Sequence, residues 1–384
     1  MIKKLVFLIC IFLSFSTLKA QVDYSFSGYA INFPIYSVVP KSLAELSNSK
    51  QNQFSNLTRV RLRPTVYLWD GARFNLEYEI ASLYFNAQNV FLGSAIGKTK
   101  TQIIRMNWIP VNENNFRLNH FIDRLYFKQN FKAGNIILGR QRISWGTGRT
   151  WNPTDLFNPN NPANFSKIEK DGADAVSLNY YFGSFTDLNI VFNPNEKISN
   201  SNFAARFRTN VGEYDFSLMS GRFDKRIVAG LDLAGNLFES GIRGEGIISF
   251  DENNTSDNFI KFILGIDYQF TAELYALIEY HFNGQGKTDK QNYDVQKLAS
   301  GEILNLNKNY LNVSGNYQLS PLLSFGLSNI FNLNDGSGII ALTANYSIIT
   351  DLYVNAGSQI TYGSEFSEYW YFGSSFYMQI EYYF

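Results

Sequence analysis

Taken two at a time, the last residues of the chain sort onto two faces. Phe372, Phe376, Met378, Ile380, Tyr382 and Phe384 fall on one, while Tyr371, Gly373, Ser375, Tyr377, Gln379, Glu381 and Tyr383 fall on the other. Successive side chains of a β-strand point to opposite sides, so this spacing predicts a long strand with one aromatic and aliphatic face. In a soluble sheet such a face invites aggregation. Turned toward lipid, it is what a membrane-crossing strand requires.

The same rhythm recurs upstream. Val60, Leu62, Pro64, Val66 and Leu68 oppose Arg59, Arg61, Arg63, Thr65 and Tyr67; Phe74, Leu76, Tyr78 and Ile80 oppose Arg73, Asn75, Glu77 and Glu79. Ile260, Phe262, Leu264, Ile266 and Tyr268 oppose Lys261, Asp267 and Gln269, and Leu274, Ala276, Ile278 and Tyr280 oppose Glu273, Glu279 and His281. The 24 Tyr and 34 Phe are many for a soluble enzyme and suit two aromatic girdles. Beyond the first 20 residues no apolar run reaches the 18 or more that a transmembrane helix needs. The terminal strand ending in Phe384 resembles the last strand of Gram-negative outer-membrane β-barrels. That resemblance implies recognition of Phe384 by the barrel-insertion machinery and an outer wall in contact with outer-membrane lipids.

Short turns are expected at Asp70-Gly71, Phe131 to Gly134, Gly183 to Thr186, Val211 to Glu213, Ala234-Gly235, Phe270 to Ala272, Ser320-Pro321 and Ile349 to Asp351. Longer connections fall between them, at Pro34 to Leu57, Leu83 to Asn115, Ser144 to Gly172 and Asn283 to Lys308. Barrels of this class keep short turns on the periplasmic side and long loops outside. With a first strand near Tyr24 to Phe33, the count is about eighteen. The expected fold is therefore all-β, a single transmembrane antiparallel up-and-down barrel. Sixteen strands is the alternative, because "QIIRMNWIP", Gln102 to Pro110, fits either a strand or a loop.

The N-terminus reads as a Sec-type signal peptide over residues 1–20, with Lys3 and Lys4, an apolar run from Leu5 to about Phe15, and Ala20 before the expected mature start at Gln21. The lone cysteine, Cys10, lies inside it, which leaves no thiol for a disulfide, a zinc site or a nucleophile. Residues 21–384 read as one barrel domain; a first strand so close to Gln21 leaves no room for a plug domain. Removing Lys3, Lys4 and Lys19 from the 33 basic residues leaves 30 against 33 acidic ones, so no nucleic-acid partner is expected.

A barrel this wide encloses a lumen, which makes passage of a solute the default function. Its inward face is charged, with Arg59, Arg61, Arg63, Arg73, Arg206 and Arg208 beside Glu77, Glu79, Asp267 and Glu279. An arginine at every second position over Arg59 to Arg63 either steers an anion or pairs with lumen acids. "GRQRISWGTGRTWNPTDLFNP", Gly139 to Pro159, opens a long connection stiffened by Pro153, Pro159 and Pro162 and bent at Gly146 and Gly148 beside Trp145 and Trp151. We expect Gly139 to Gly172 to fold inward and narrow the pore. Trp145, Gly146, Gly148, Trp151 and Pro153 would then fix the loop, and Arg140, Arg142, Arg149 and Asp155 would line the pore. The segment resembles the Gly-Arg-Gln element of alginate-export and related porin-like families through Arg140, Gln141, Arg142, Gly146 and Arg149. Its Asn-Pro-Thr-Asp continuation through Asp155 departs from the alginate type. The resemblance implies a channel for small polar or anionic solutes.

Catalysis finds little support. His120 precedes Asp123 by three residues, yet no nucleophile motif accompanies it or His281. Glu169, Asp171 and Asp174 in "EKDGADA" do not match a calcium loop, and no phosphate-binding glycine motif occurs. Neither an enzyme nor a cofactor or metal is expected. The alternatives are a surface adhesin or assembly platform and, further off, a barrel-embedded hydrolase.

Overall fold

The computed structural model describes residues 22–87, 100–158, 169–299 and 303–384; the expected signal peptide lies outside them. The strands are β1 (Asp23–Val38), β2 (Asn52–Trp69), β3 (Ala72–Phe85), β4 (Asn107–Asn112), β5 (Phe116–Phe131), β6 (Gly134–Gln141), β7 (Ala173–Tyr181), β8 (Asp187–Asn193), β9 (Asn202–Val211) and β10 (Tyr214–Phe223). They continue with β11 (Arg226–Leu237), β12 (Ser240–Asp251), β13 (Phe259–Gln269), β14 (Leu274–Asn283), β15 (Asn309–Ser320), β16 (Leu323–Asn332), β17 (Gly338–Ile349), β18 (Leu352–Tyr362) and β19 (Ser374–Tyr383). All but β4 are staves of one antiparallel barrel, eighteen in number, because β3 pairs directly with β5. β1 and β19 close it, and the terminal Phe384 exchanges both backbone hydrogen bonds with Gly28 (2.8 and 3.1 Å).

Alternation holds along the wall. On β13, Leu264 is 61% exposed on the outer face while its neighbour Ile263 is 0% exposed on the inner one. The outer face carries the apolar set and the inner face the polar one, as a barrel in a bilayer requires. Seven of the eight expected turns fall where the spacing placed them. The eighth does not: Ala234 and Gly235 lie within β11, and the chain turns at Phe238 and Glu239, with Phe238 at φ 56°. Gly235 is no turn residue. The Tyr214 ring of β10 lies across it, in the space a Cβ would fill.

Three further expectations change. β1 continues past Phe33 to Val38 and β2 begins at Asn52, so their connection is residues 39–51 rather than Pro34 to Leu57. Pro34, lacking an N–H, sits where the ladder to β19 skips from Asn32 to Ile35. Phe372 leaves the outer face, because β19 starts at Ser374 and Phe372 packs on Tyr369 (5.8 Å between ring centroids) in the preceding connection. The "QIIRMNWIP" segment yields β4, which is not a stave. β6 reaches only Leu125 of β5, and β4 takes over the vacant edge above it, pairing Asn107 with Phe121 and Trp108 with His120.

The lumen wall is not uniformly polar. Ala173 and Ala175 of β7, Val191, Ala204, Met219, Val228 and Ile247 of β8 to β12 form an apolar strip on the inner face. A second strip joins Ile263, Tyr310, Ile330 and Ile339 of β13 to β17. These mark where the chain between β6 and β7 lies.

Candidate functional site

From Gln141 the chain leaves the sheet and residues 142–158 run as a strap with no regular hydrogen-bond ladder. Backbone N–H groups in such a segment need acceptors from elsewhere. Two wall carboxylates supply them. Glu245 of β12 accepts from Thr147 N (2.6 Å), Gly148 N (3.1 Å), Thr154 N (3.2 Å) and Thr154 Oγ1 (3.3 Å). Glu279 of β14 accepts from Arg149 N (2.8 Å), Thr150 N (3.0 Å) and Trp151 N (2.9 Å). Thr150 Oγ1 then accepts from Asn312 Nδ2 of β15 (2.8 Å). All of these partners stand on the inner face, so the strap is bonded along that face from β12 to β15.

Apolar contacts set its height. Ile143, Trp145 and Phe157 pack on the strip of β7 to β12, with Trp145 edge-on to Phe157 (5.5 Å) and its Nε1 donating to Asn189 Oδ1 (2.9 Å). Trp151 stacks on His281 (5.1 Å, 18°) and packs on Ile263 and Tyr310 of the second strip. Gly146 has φ 96°, and a Cβ there would lie 2.6 Å from Glu245 Oε2. At Gly148 a side chain would run into the carbonyl of Trp151. Pro153 sits in the turn closed by Asp155 N to Asn152 O (3.1 Å). Asp155 is no pore-lining group, being buried at 2% exposure, bridged to Lys170 and 3.4 Å from Ser144 Oγ. Burial pushes its carboxyl up to about 6 against the pull of Lys170.

The arginine ladder resolves into pairs. Arg61, buried, touches Glu79 (2.8 Å), Glu77 (3.1 Å), Asp123 (3.0 Å) and Glu169 (2.8 Å). Arg59 reaches Glu79 (3.5 Å), and Arg63 reaches Glu77 (3.5 Å) and Glu169. Anion steering by this ladder is thereby replaced by wall pairing, since each guanidinium already faces carboxylate. Arg208 pairs with Asp187 (2.7 Å), and Arg206 lies over the Trp145 ring (5.7 Å) beneath the strap.

Arg140 is the clearest correction. It shares the outward parity of Ile136 and Leu138, not the inward parity of Gln141, whose side chain meets Ser177 Oγ (2.6 Å). Its guanidinium holds Asp174 (2.7 and 3.1 Å) and the carbonyls of Ile122 (3.0 Å) and Ile104, while Asp174 accepts from Ile103 N and Ile104 N (2.8 and 2.9 Å). The pair ties residues 103–104 to the wall where β6 ends. Arg142 and Arg149 are exposed, and among the described residues neither makes an ion pair.

Solved structures share this architecture. Acinetobacter baumannii OccAB3 superposes with a TM-score of 0.59 at 10% identity, covering 94% of this chain and 99% of that one. OccAB1 of the same organism gives 0.58 at 9% identity over 96% and 99%, and Pseudomonas aeruginosa OccK8 (OprE) gives 0.57 at 11% over 94% and 98%. The fold is that of the outer-membrane porins. No family model and no curated protein sequence matches the chain.

Within this porin fold the remaining sequence candidates disperse. Glu77, Asp123 and Glu169 bring carboxylate oxygens within 4.8 Å of one another, and the Arg61 guanidinium sits among them as their shared cation. Asp174 belongs to Arg140 instead, so the "EKDGADA" acids do not gather. His120 bonds Tyr78 through Nδ1 (2.7 Å) and faces Trp108, away from Asp123. His281 faces Phe262 O (3.2 Å) and the Trp151 ring. Glu245 escaped notice in the sequence, and Glu279 was placed in the lumen without a role. An irregular inward segment beside a polar wall carries the signal that finds both: its N–H groups need the nearest inward carboxylates.

Proposed function

We propose that the chain is an outer-membrane channel for passive passage of small polar or anionic solutes, exported by residues 1–20 and inserted, with the help of Phe384, as one barrel over residues 21–384. Of the expected constriction over residues 139–172, residues 159–168 lie outside the described ones, and the strap of residues 142–158 narrows the pore. The observation that carries this reading is the docking of the strap: Glu245 and Glu279 hold its backbone against the inner wall, which makes a fixed constriction of what is otherwise a wide lumen. The apolar outer face supports the bilayer setting. Anion preference rests on Arg142 and Arg149, since the other candidate arginines are paired, stacked or turned outward.

Planar-bilayer recording under a salt gradient tests it. A steady conductance with anion-leaning reversal potential, shifted toward cations by Arg142→Ala and Arg149→Ala together, is expected. Cation preference that the double substitution leaves unchanged defeats the selectivity assignment. A barrel that conducts nothing defeats the channel and favours the surface platform.

A further inference from the structure

A cavity of about 480 Å³ lies between the strap and the short-turn end, against β10 to β14. That volume falls within the roughly 300–1,000 Å³ of small-ligand sites. Arg149 of the strap, Asp215, Asp267 and Arg243 of the wall, and Glu213 and Glu239 of the β9–β10 and β11–β12 turns line it.

Two of these charges are spent on each other. Arg243 holds Asp267 through Nη2 and through Nε (3.1 Å), and gives Nη1 to Thr147 O (3.1 Å). The others are not. Among the described residues Arg149 makes no ion pair; Asp215 accepts from the neutral Asn210 Nδ2 (2.8 Å), Glu239 from the Tyr268 hydroxyl (2.9 Å), and neither they nor Glu213 has a cation partner. Arg149 is also held in place. Its own N–H is bound to Glu279 (2.8 Å), and the two residues before it are bound to Glu245 (2.6 and 3.1 Å), so its Cα is fixed while its side chain is free.

We propose that this cavity is a binding site for small zwitterionic solutes, with the carboxylate at Arg149 and the ammonium at Asp215 and Glu213. This deepens the channel reading and rests on it for its place in transport. A guanidinium clamps a carboxylate through two parallel N–H donors, while an ammonium satisfies carboxylates as a compact charge. Neither a simple anion nor a simple cation fits both ends. The anion meets Arg149 but also the uncompensated carboxylates of Glu213, Asp215 and Glu239, and the amine meets the reverse, so each is rejected by the group that welcomes the other half of a zwitterion.

Ligand-observed NMR titration of the full-length barrel in detergent tests this with 4-aminobutanoate, butanoate and 1-aminobutane as probes. We expect 4-aminobutanoate to bind at least about tenfold more tightly than either single-charge probe, and Arg149→Ala and Asp215→Asn each to remove about that factor. Asp215→Asn leaves butanoate no weaker. Equal affinity for all three probes, or an affinity for 4-aminobutanoate that either substitution leaves untouched, overturns the assignment. Binding in micelles needs no ion flow, so a barrel that binds without conducting refutes the channel and keeps the site, and one that conducts without binding does the opposite.

Discussion

Replacing Glu279 by glutamine tests the docking of the strap at its most loaded contact. Glu279 is 0% exposed; its Oε1 accepts from Thr150 N and Trp151 N (3.0 and 2.9 Å) and its Oε2 from Arg149 N (2.8 Å). An amide keeps one oxygen. Turned to hold Thr150 and Trp151, it sets its NH₂ against the Arg149 N–H, donor facing donor. A hydrogen bond to a charged group contributes about 1.5–3 kcal/mol and a neutral one about 1, so one lost and two weakened bonds cost about 3 kcal/mol. At about 1.4 kcal/mol per decade, that shifts the docked-to-released ratio by roughly a hundredfold. Amide hydrogen exchange reads the shift directly: protection at Arg149 to Trp151 should fall by on the order of a hundredfold, while β13 and β14 stay protected. Unchanged protection at those three amides, in a barrel otherwise native, refutes the view that Glu279 holds the strap.

Other outcomes follow from the buried charges. Glu368, 1% exposed between β18 and β19, accepts from Leu306 N (3.1 Å), Asn332 Nδ2 (2.9 Å) and the Tyr310 hydroxyl, and burial pushes its carboxyl up to about 7 from 4.5. Because the folded value is the higher one, its contribution is full below about 4.5 and is lost as pH rises through about 7. Exchange protection over residues 303–310, corrected for intrinsic rate, should therefore drop between those values, and Glu368→Gln should flatten the profile; protection that climbs with pH contradicts the assignment. Arg61→Ala strips Glu79 and Asp123, both buried, of their closest cation and leaves only the longer contacts to Arg59 and Arg124 (3.5 Å each), so it should cost up to about 3–5 kcal/mol in urea unfolding from micelles, against about 1 or less for the more exposed Arg63→Ala. Equal losses for the two would show that the cluster is not centred on Arg61.

The wall was legible because its cause is local. With lipid outside and water inside, each stave must alternate, and alternation is written into neighbouring residues such as Ile260 to Gln269 and Leu274 to His281. Seven turns, the closing strand and the inward face of Arg59 to Arg63 follow from that period. Where the pattern misled, a local rule met a distant neighbour. Gly235 resembles a turn until the Tyr214 ring is laid across it, and Pro34 resembles a strand end until its gap in the ladder is seen.

The use of the charges was not legible. Period 2 assigns a side chain to a face but not to a partner: Arg61 meets Glu169 from 108 residues away, and Trp151 meets Glu279 from 128. In the sequence Gly139 opens a loop and Arg140 has no phase, although β6 runs to Gln141 and sets Arg140 on the outer face with Ile136 and Leu138. Sequence alone determined a barrel with a polar lumen, because hydrophobic periodicity and turn chemistry are short-range. Tertiary structure decided which arginines stay free, because that depends on the path of the strap and the stagger of staves far apart in the chain, and on which carboxylates those two bring within hydrogen-bonding distance.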